Sequence, residues 1–106
     1  MSRSEEERFA DILAAIQRCQ SYAPHLRSAD LGAMAYDALL RNLAVIGEAV
    51  RSLPSESREA MPAVPWASIA GLRNIVVHEY FRVNPDLILD IVGHELVDLD
   101  SAIRNR

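Results

Sequence analysis

Apolar residues recur along this chain at intervals of three and four positions, in stretches that prolines separate. This period places the apolar side chains of each stretch on one face of an α-helix, and no clear strand alternation competes with it. The 106 residues fit one domain, 1–106, and leave little room for a second. We therefore expect an all-α fold, an up-and-down bundle of four main helices with a short connector turn.

Helix start and stop signals set the expected boundaries of the first two helices. Ser4 and Glu7 form a capping box, so the first helix is predicted to begin at Ser4 and to end near Tyr22. Ser28 or Asp30 is expected to cap the second helix, and the helix is expected to stop at Pro54.

The second half of the chain is divided by prolines. Residues 54–65 contain three of them and predict a connector with one short turn. Pro65 suits the first position of a third helix, and Asn84 is a cap followed by Pro85 at the first position of the last helix. The predicted turn and helices span Ser55–Ala60, Pro65–Tyr80 and Pro85–Arg104.

Gly47 and Glu48 lie late in the second predicted helix. A glycine inside a helix costs about 1 kcal/mol relative to alanine, so Gly47 suggests that another helix approaches closely there. Glu48 is either a solvated surface charge or a group that points into a cleft, and a charged side chain taken alone favours the surface.

Composition restricts the classes of function. The net charge of −4 and the pI of about 5.3 argue against a protein that coats long nucleic acids, but not against one that grips a few phosphates. All eleven positive residues are arginines, which bind phosphate in bidentate fashion. No apolar run approaches the roughly 18 residues of a membrane span, and the N-terminus is acidic, so we expect a cytoplasmic protein without membrane contact. The only cysteine, Cys19, is expected to be a small buried residue.

One segment combines side chains that can perform chemistry: Arg73, Asn74, His78 and Tyr80. On a helix with about 100° per residue, these four share a broad face, and Arg73 and Tyr80 lie within roughly 20° of each other. A lone histidine on a helix is usually a surface or satisfied core residue. A titrating group, a cation, an amide and a phenol within about two turns instead indicate a phosphate-handling site. The opposite face is predicted to carry Leu72, Ile75 and Val76 into the core.

The segment Arg73–His78 resembles the signature of HEPN-domain ribonucleases, which is Arg, a polar residue, three apolar residues and His. With Tyr80 it matches the Arg-x4-His-x-Tyr form of HepT toxins, the partners of MntA minimal nucleotidyltransferase antitoxins. Further similarity lies in Ile46–Ala49 and in Val64–Trp66, and the resemblance covers about Glu7–Ile103.

This resemblance implies the toxin of a bacterial type VII toxin–antitoxin system, a dimer whose paired motif helices form one composite site. The toxin would cleave RNA, and not DNA, without a metal or cofactor: the 2′-hydroxyl attacks, and products are a 2′,3′-cyclic phosphate and a 5′-hydroxyl. Two copies of His78 would act as base and acid, since imidazole titrates near neutral pH. Arg73 would stabilise charge on phosphorus, and Asn74 would orient the phosphate or the imidazole.

The resemblance also implies regulation and supporting roles. An MntA-like nucleotidyltransferase would adenylylate Tyr80 and silence the toxin, and the two proteins could form a larger complex. The alternative is that Tyr80 is an ordinary amphipathic residue at a helix end, with its phenol in water and its ring on the core. Gly47 and Glu48 would help to line the dimer cleft, with Glu48 positioning Arg73. Five arginines outside the motif could guide RNA, although exposed arginines ordinarily serve solubility: Arg41, Arg51, Arg82, Arg104 and Arg106.

Two alternatives stay open from the sequence. The chain could be a non-catalytic accessory or nucleotide-binding subunit of a nucleotidyltransferase, in which Arg73 and His78 hold a nucleotide phosphate without cleaving anything. It could also be a dimeric helical bundle with a structural role only, since fold alone does not imply function.

Overall fold

A computed structural model describes residues 3–79 and 82–106, and within these ranges the chain forms helices, turns and no strand. The expected all-α fold is confirmed. A turn of 3-10 helix, Ala23–His25, follows the first helix, and a π-helical turn, Ile91–Glu95, joins the last two. The α-helices are α1 (Glu5–Tyr22), α2 (Gly32–Arg51), α3 (Ser55–Glu59), α4 (Trp66–Ala70), α5 (Leu72–Glu79), α6 (Pro85–Asp90) and α7 (Leu96–Arg104).

The predicted start of α1 is confirmed in atomic detail. The Ser4 Oγ accepts a hydrogen bond from the Glu7 backbone N–H, and the Glu7 carboxylate accepts one from the Ser4 N–H, both at 3.1 Å. These two bonds satisfy donors that the first helical turn leaves without intrahelical partners. The backbone bond from Ser4, then its side-chain bond and the nearby Arg3 charge, lower the pKa of Glu7.

The predicted cap of α2 is wrong. The helix begins at Gly32, after Leu31, and no side chain caps it. The Ser28 Oγ accepts from the Leu31 N–H at 3.2 Å, which closes a turn ahead of the helix. Ser28 lies too early in the chain, because a capping side chain bonds the N–H groups two or three residues after itself and those of Asp30 and Leu31 precede the helix. The Asp30 side chain makes no capping hydrogen bond to α2.

The connector contains the predicted short turn as the helix Ser55–Glu59. The third predicted helix, in contrast, is divided at Gly71, and its first helical residue is Trp66, one residue later than expected. Gly71 has φ −70° and ψ −13°, a turn rather than a helical ψ, and glycine has a low helix propensity that favours such an interruption. The expected end of this helix at Tyr80 lies outside the described residues.

The last predicted helix is confirmed from Pro85 to Arg104, with the π-helical turn inside it. Asn84 Oδ1 accepts from the Asp86 N–H at 2.7 Å, so the predicted cap is present. The residues expected to face the core are all buried: Ile88, Ile91, Val92, Leu96, Leu99 and Ile103.

The core lies between α1, α2 and the C-terminal helices, in a bundle of 43 × 26 × 26 Å. Contacts late in α2 with Arg73, and early in α2 with Val83, show that α2 and the segment through α5 run antiparallel. Cys19 is fully buried as predicted, and this burial raises the pKa of its thiol to about 12. None of the described helices is both long and apolar enough to cross a membrane.

Candidate functional site

Helix α5 carries most of the predicted site residues at the edge of the bundle. Leu72 and Val76 are buried, whereas Asn74 and His78 are exposed on the opposite face. The expectation that Ile75 points into the core is wrong, because its side chain is 38% exposed. Ile75 lies on the flank of the helix, about 80° from the centre of the stripe that Leu72 and Val76 form.

Gly47 makes the close helix approach that the sequence suggested. A Cβ at this position would lie 2.8 Å from the Arg73 backbone nitrogen, 3.2 Å from the Arg73 Cβ and 3.4 Å from the Ala70 carbonyl oxygen. Two of these atoms belong to the backbone, so they cannot rotate away as a flexible side chain could. Only glycine therefore allows α2 to approach the start of α5 this closely.

Glu48, the next residue, forms an ion pair with Arg73. The distance from Arg73 Nε to Glu48 Oε1 is 2.9 Å, and Arg51 Nη1 lies 4.0 Å from the same oxygen. The side chains of Arg73 and Glu48 are 42% and 57% exposed, so the pair contributes little to stability. Its effect is geometric: the carboxylate holds Nε, and the edge formed by the two Nη atoms has no hydrogen bond to the residues that the structure describes.

A shallow groove of about 490 Å³ lies between α2 and α5 on the side of this ion pair. That Arg41 and Val77 share a surface with Arg73 could not be predicted from the sequence, because it depends on how the two helices pack. The only sequence signal is that the α2 residues of the groove recur at helical spacing, so they lie on one face of that helix. The lining residues are Arg41, Ala44, Val45, Glu48, Arg73 and Val77.

The structure therefore brings together some of the predicted site residues and separates others. Glu48 and Arg73 line the groove, and Gly47 packs against the backbone of Arg73. Asn74 and His78 form the neighbouring stripe of α5, rotated by about 100° from Arg73 and Val77, and do not line the groove. Tyr80 lies outside the described residues. Among residues 3–79 and 82–106, no three His, Cys, Asp or Glu side chains lie close enough together to hold a metal ion.

The structure is thus an all-α bundle in which the Arg-x4-His helix packs through a glycine onto a second helix. The family model described as "Ribonuclease HepT-like" matches residues 12–105. The chain belongs to the HepT-like ribonuclease family.

Several relatives bear names of the same kind. A protein named "Putative RNase" from Caldanaerobacter subterraneus is 43% identical over 67 residues, which are 63% of this chain and 60% of the relative. Another of that name from Methanocaldococcus jannaschii is 47% identical over 72 residues, 64% of this chain and 60% of the relative. A protein named "Probable ribonuclease HepT" from Thermococcus cleftensis is 27% identical over 101 residues, 93% of this chain and 92% of the relative. The chain thus spans about 60% of the length of the first two relatives, and no solved structure matches it.

Proposed function

We propose that this protein is a metal-independent endoribonuclease, and that Arg73, Asn74 and His78 form its catalytic group. The observation that carries the proposal is the Arg73–Glu48 pair on a glycine-packed helix in a chain of the HepT-like ribonuclease family. Glu48 holds the guanidinium by Nε, which leaves the Nη edge to bind the two non-bridging oxygens of a phosphate. Arg73 in this position stabilises the charge that develops on phosphorus, and Asn74 orients the phosphate or the imidazole.

The reaction needs two copies of the chain, because one chain supplies one motif histidine. In one subunit, His78 removes the proton from the 2′-hydroxyl, whose oxygen then bonds to phosphorus. The bond from phosphorus to the 5′-oxygen breaks, and the protonated His78 of the other subunit gives its proton to that oxygen. The exposure of His78, together with that of Ile75, which is 38% exposed, supports a homodimer formed through this face.

The test is cleavage of total cellular RNA in EDTA by purified wild-type protein and His78→Ala, with analysis of the new ends. We expect cleavage by wild type only, with 2′,3′-cyclic phosphate and 5′-hydroxyl ends, and no cleavage of matched DNA. His94→Ala is the control, since His94 is exposed on the π-helical turn after α6, outside the motif helix, and bonds Asp90. Equal activity of wild type and His78→Ala would refute the assignment.

The proposal extends to regulation: the protein is the toxin of a type VII toxin–antitoxin system, and an MntA-like nucleotidyltransferase silences it in the cytoplasm by adenylylating Tyr80. A phosphodiester on Tyr80 would bring negative charge to the motif helix and compete with RNA phosphate. After incubation with that enzyme and ATP, the intact mass should rise by one or more AMP units. Tyr22→Phe, the control, should gain the same mass, and a Tyr80→Phe protein that gained it fully would disprove the site.

A second candidate is a nucleotide-binding accessory subunit of the nucleotidyltransferase. The observation that favours it is that the groove of one chain contains Arg41 and Arg73 but not His78. Such a groove binds a phosphate without supplying a proton-transfer group. This candidate predicts that wild type unmodified at Tyr80 binds ATP or AMP and leaves RNA intact, whereas the ribonuclease cleaves RNA.

A further inference from the structure

Arg41 lies at the end of the groove that is farthest from the Arg73–Glu48 pair. Arg41 and Glu48 are seven residues apart on α2, which is two turns or about 10.5 Å along the helix axis. Ala44 and Val45 occupy the positions between them, so the four residues follow one stripe of the helix. The groove therefore has one cation at each end and a floor of small apolar side chains.

The two arginines differ in whether a carboxylate neutralises their charge. Arg73 is paired with Glu48, whereas Arg41 is exposed and has no ion pair or hydrogen bond to the residues that the structure describes. Elsewhere on the described surface, Arg3, Arg27, Arg104 and Arg106 each pair with a carboxylate. An unneutralised guanidinium inside a groove is free to bind an anion without first breaking an internal contact.

Glu48 also restricts what Arg73 can reach. Since the carboxylate holds Arg73 at its own end of the groove, the two arginines are directed at points separated along the groove axis. A ligand that engages both needs two anionic groups linked by a spacer that fits over Ala44, Val45 and Val77. A single-stranded nucleic acid has this form, with a phosphate at each nucleotide and ribose between them.

We propose that Arg41 binds a second, non-scissile phosphate of the RNA strand, next to the phosphate that Arg73 holds. This inference rests on the proposed ribonuclease function and adds a positioning residue to it. Arg41 takes no part in proton transfer. It fixes the register of the strand, so that the scissile phosphate lies at Arg73.

The test uses a short single-stranded oligoribonucleotide and a set in which a neutral methylphosphonate replaces one non-scissile phosphate at a time. For wild type, one such replacement should lower kcat/KM about tenfold, the loss of one charge-assisted contact. Arg41→Gln should lower kcat/KM on the unmodified strand by the same factor, and the sensitive methylphosphonate should then cost nothing more. In a plot of log(kcat/KM) against log(salt concentration), the slope for Arg41→Gln should be less steep than that for wild type by about 0.7.

Matched variants separate the possible outcomes. Arg104→Gln removes the same charge outside the groove and should behave as wild type, and Arg41→Lys should keep the salt slope. The inference is overturned if wild type cleaves and Arg41→Gln does so equally well, or if its loss is independent of every methylphosphonate. It is also overturned if Arg41→Gln changes only the oligomeric state by light scattering, since the groove would then hold a second copy. Failure of wild type to cleave the unmodified strand refutes the proposed ribonuclease itself.

Discussion

Replacing Gly47 with alanine tests how the fold and the site are linked. The new Cβ would lie 2.8 Å from the Arg73 backbone nitrogen, whereas ordinary van der Waals contact begins at 3.4 Å. Helix α5 must therefore move away from α2 by about 0.6 Å, the difference between these two distances. Overpacking of this kind costs about 1–3 kcal/mol, and the alanine recovers about 1 kcal/mol of helix propensity.

The expected net result for Gly47→Ala is a loss of about 1 kcal/mol in the free energy of unfolding. For a domain of this size that corresponds to a fall of about 4–8 °C in Tm. The displacement also moves Arg73 away from Glu48, so cleavage should fall by more than the unfolded fraction explains. Urea unfolding and RNA cleavage at one protein concentration measure both effects.

Gly93→Ala is the matched control, because a Cβ at Gly93 meets nothing within 4 Å. The same substitution there should leave cleavage unchanged and raise stability by up to about 1 kcal/mol through helix propensity. If Gly47→Ala were as stable and as active as wild type, the close approach of α2 and α5 would not constrain the site, and the reasoning would be refuted.

Three further predictions follow from single contacts. Glu48→Gln should change the free energy of unfolding by less than about 1 kcal/mol, since the ion pair is exposed. It should nevertheless lower the cleavage rate about tenfold, because Arg73 loses the carboxylate charge that positions it. An unchanged rate would exclude the positioning role. The buried Cys19 thiol should resist a thiol reagent at pH 8 in the native state and react once unfolded. Because its pKa rises on folding from 9.0 to about 12, stability should fall as the pH rises across that interval, and rapid native labelling would contradict this. Ser4→Ala should cost about 1 kcal/mol in thermal unfolding, because the Glu7 N–H loses its partner.

Sequence patterns predicted the helices wherever local signals and burial agree. The capping box at Ser4 and the cap at Asn84 are contacts within three residues, so they can be read directly from the chain. The errors come from choices that local signals leave open. Several polar residues precede α2, and only tertiary packing determines that its first turn begins at Gly32. Ile75 fits a helical apolar pattern, but α5 at the bundle edge has too few neighbours to bury it.

The site was predictable in part for the same reason. Gly47 predicted a close helix approach because a glycine inside a helix lowers helix stability. The structure shows that a Cβ at this position would meet backbone atoms of Arg73 and Ala70. The contact of Glu48 with Arg73 was an expectation from family resemblance, and the structure places the two atoms 2.9 Å apart. Arg41 could not be singled out among eleven arginines, because its place in the groove depends on the antiparallel packing of α2 and α5.

Local charge explains how an acidic chain can handle a polyanion. The net charge is −4, but several carboxylates are already engaged with arginines on the outer surface, at Asp11, Asp86, Asp100 and Glu6. At the groove the balance is reversed: Arg41 and Arg73 line it, Arg51 lies 4.0 Å from the Glu48 carboxylate, and Glu48 is the one acidic residue in the lining. A phosphate in the groove is attracted by this local positive charge, which lies within a Debye length of about 8 Å at physiological salt. Carboxylates farther away are largely screened and repel it little. A binding site for a few phosphates therefore needs only this local arrangement, whereas a protein that coats long nucleic acids needs a basic surface.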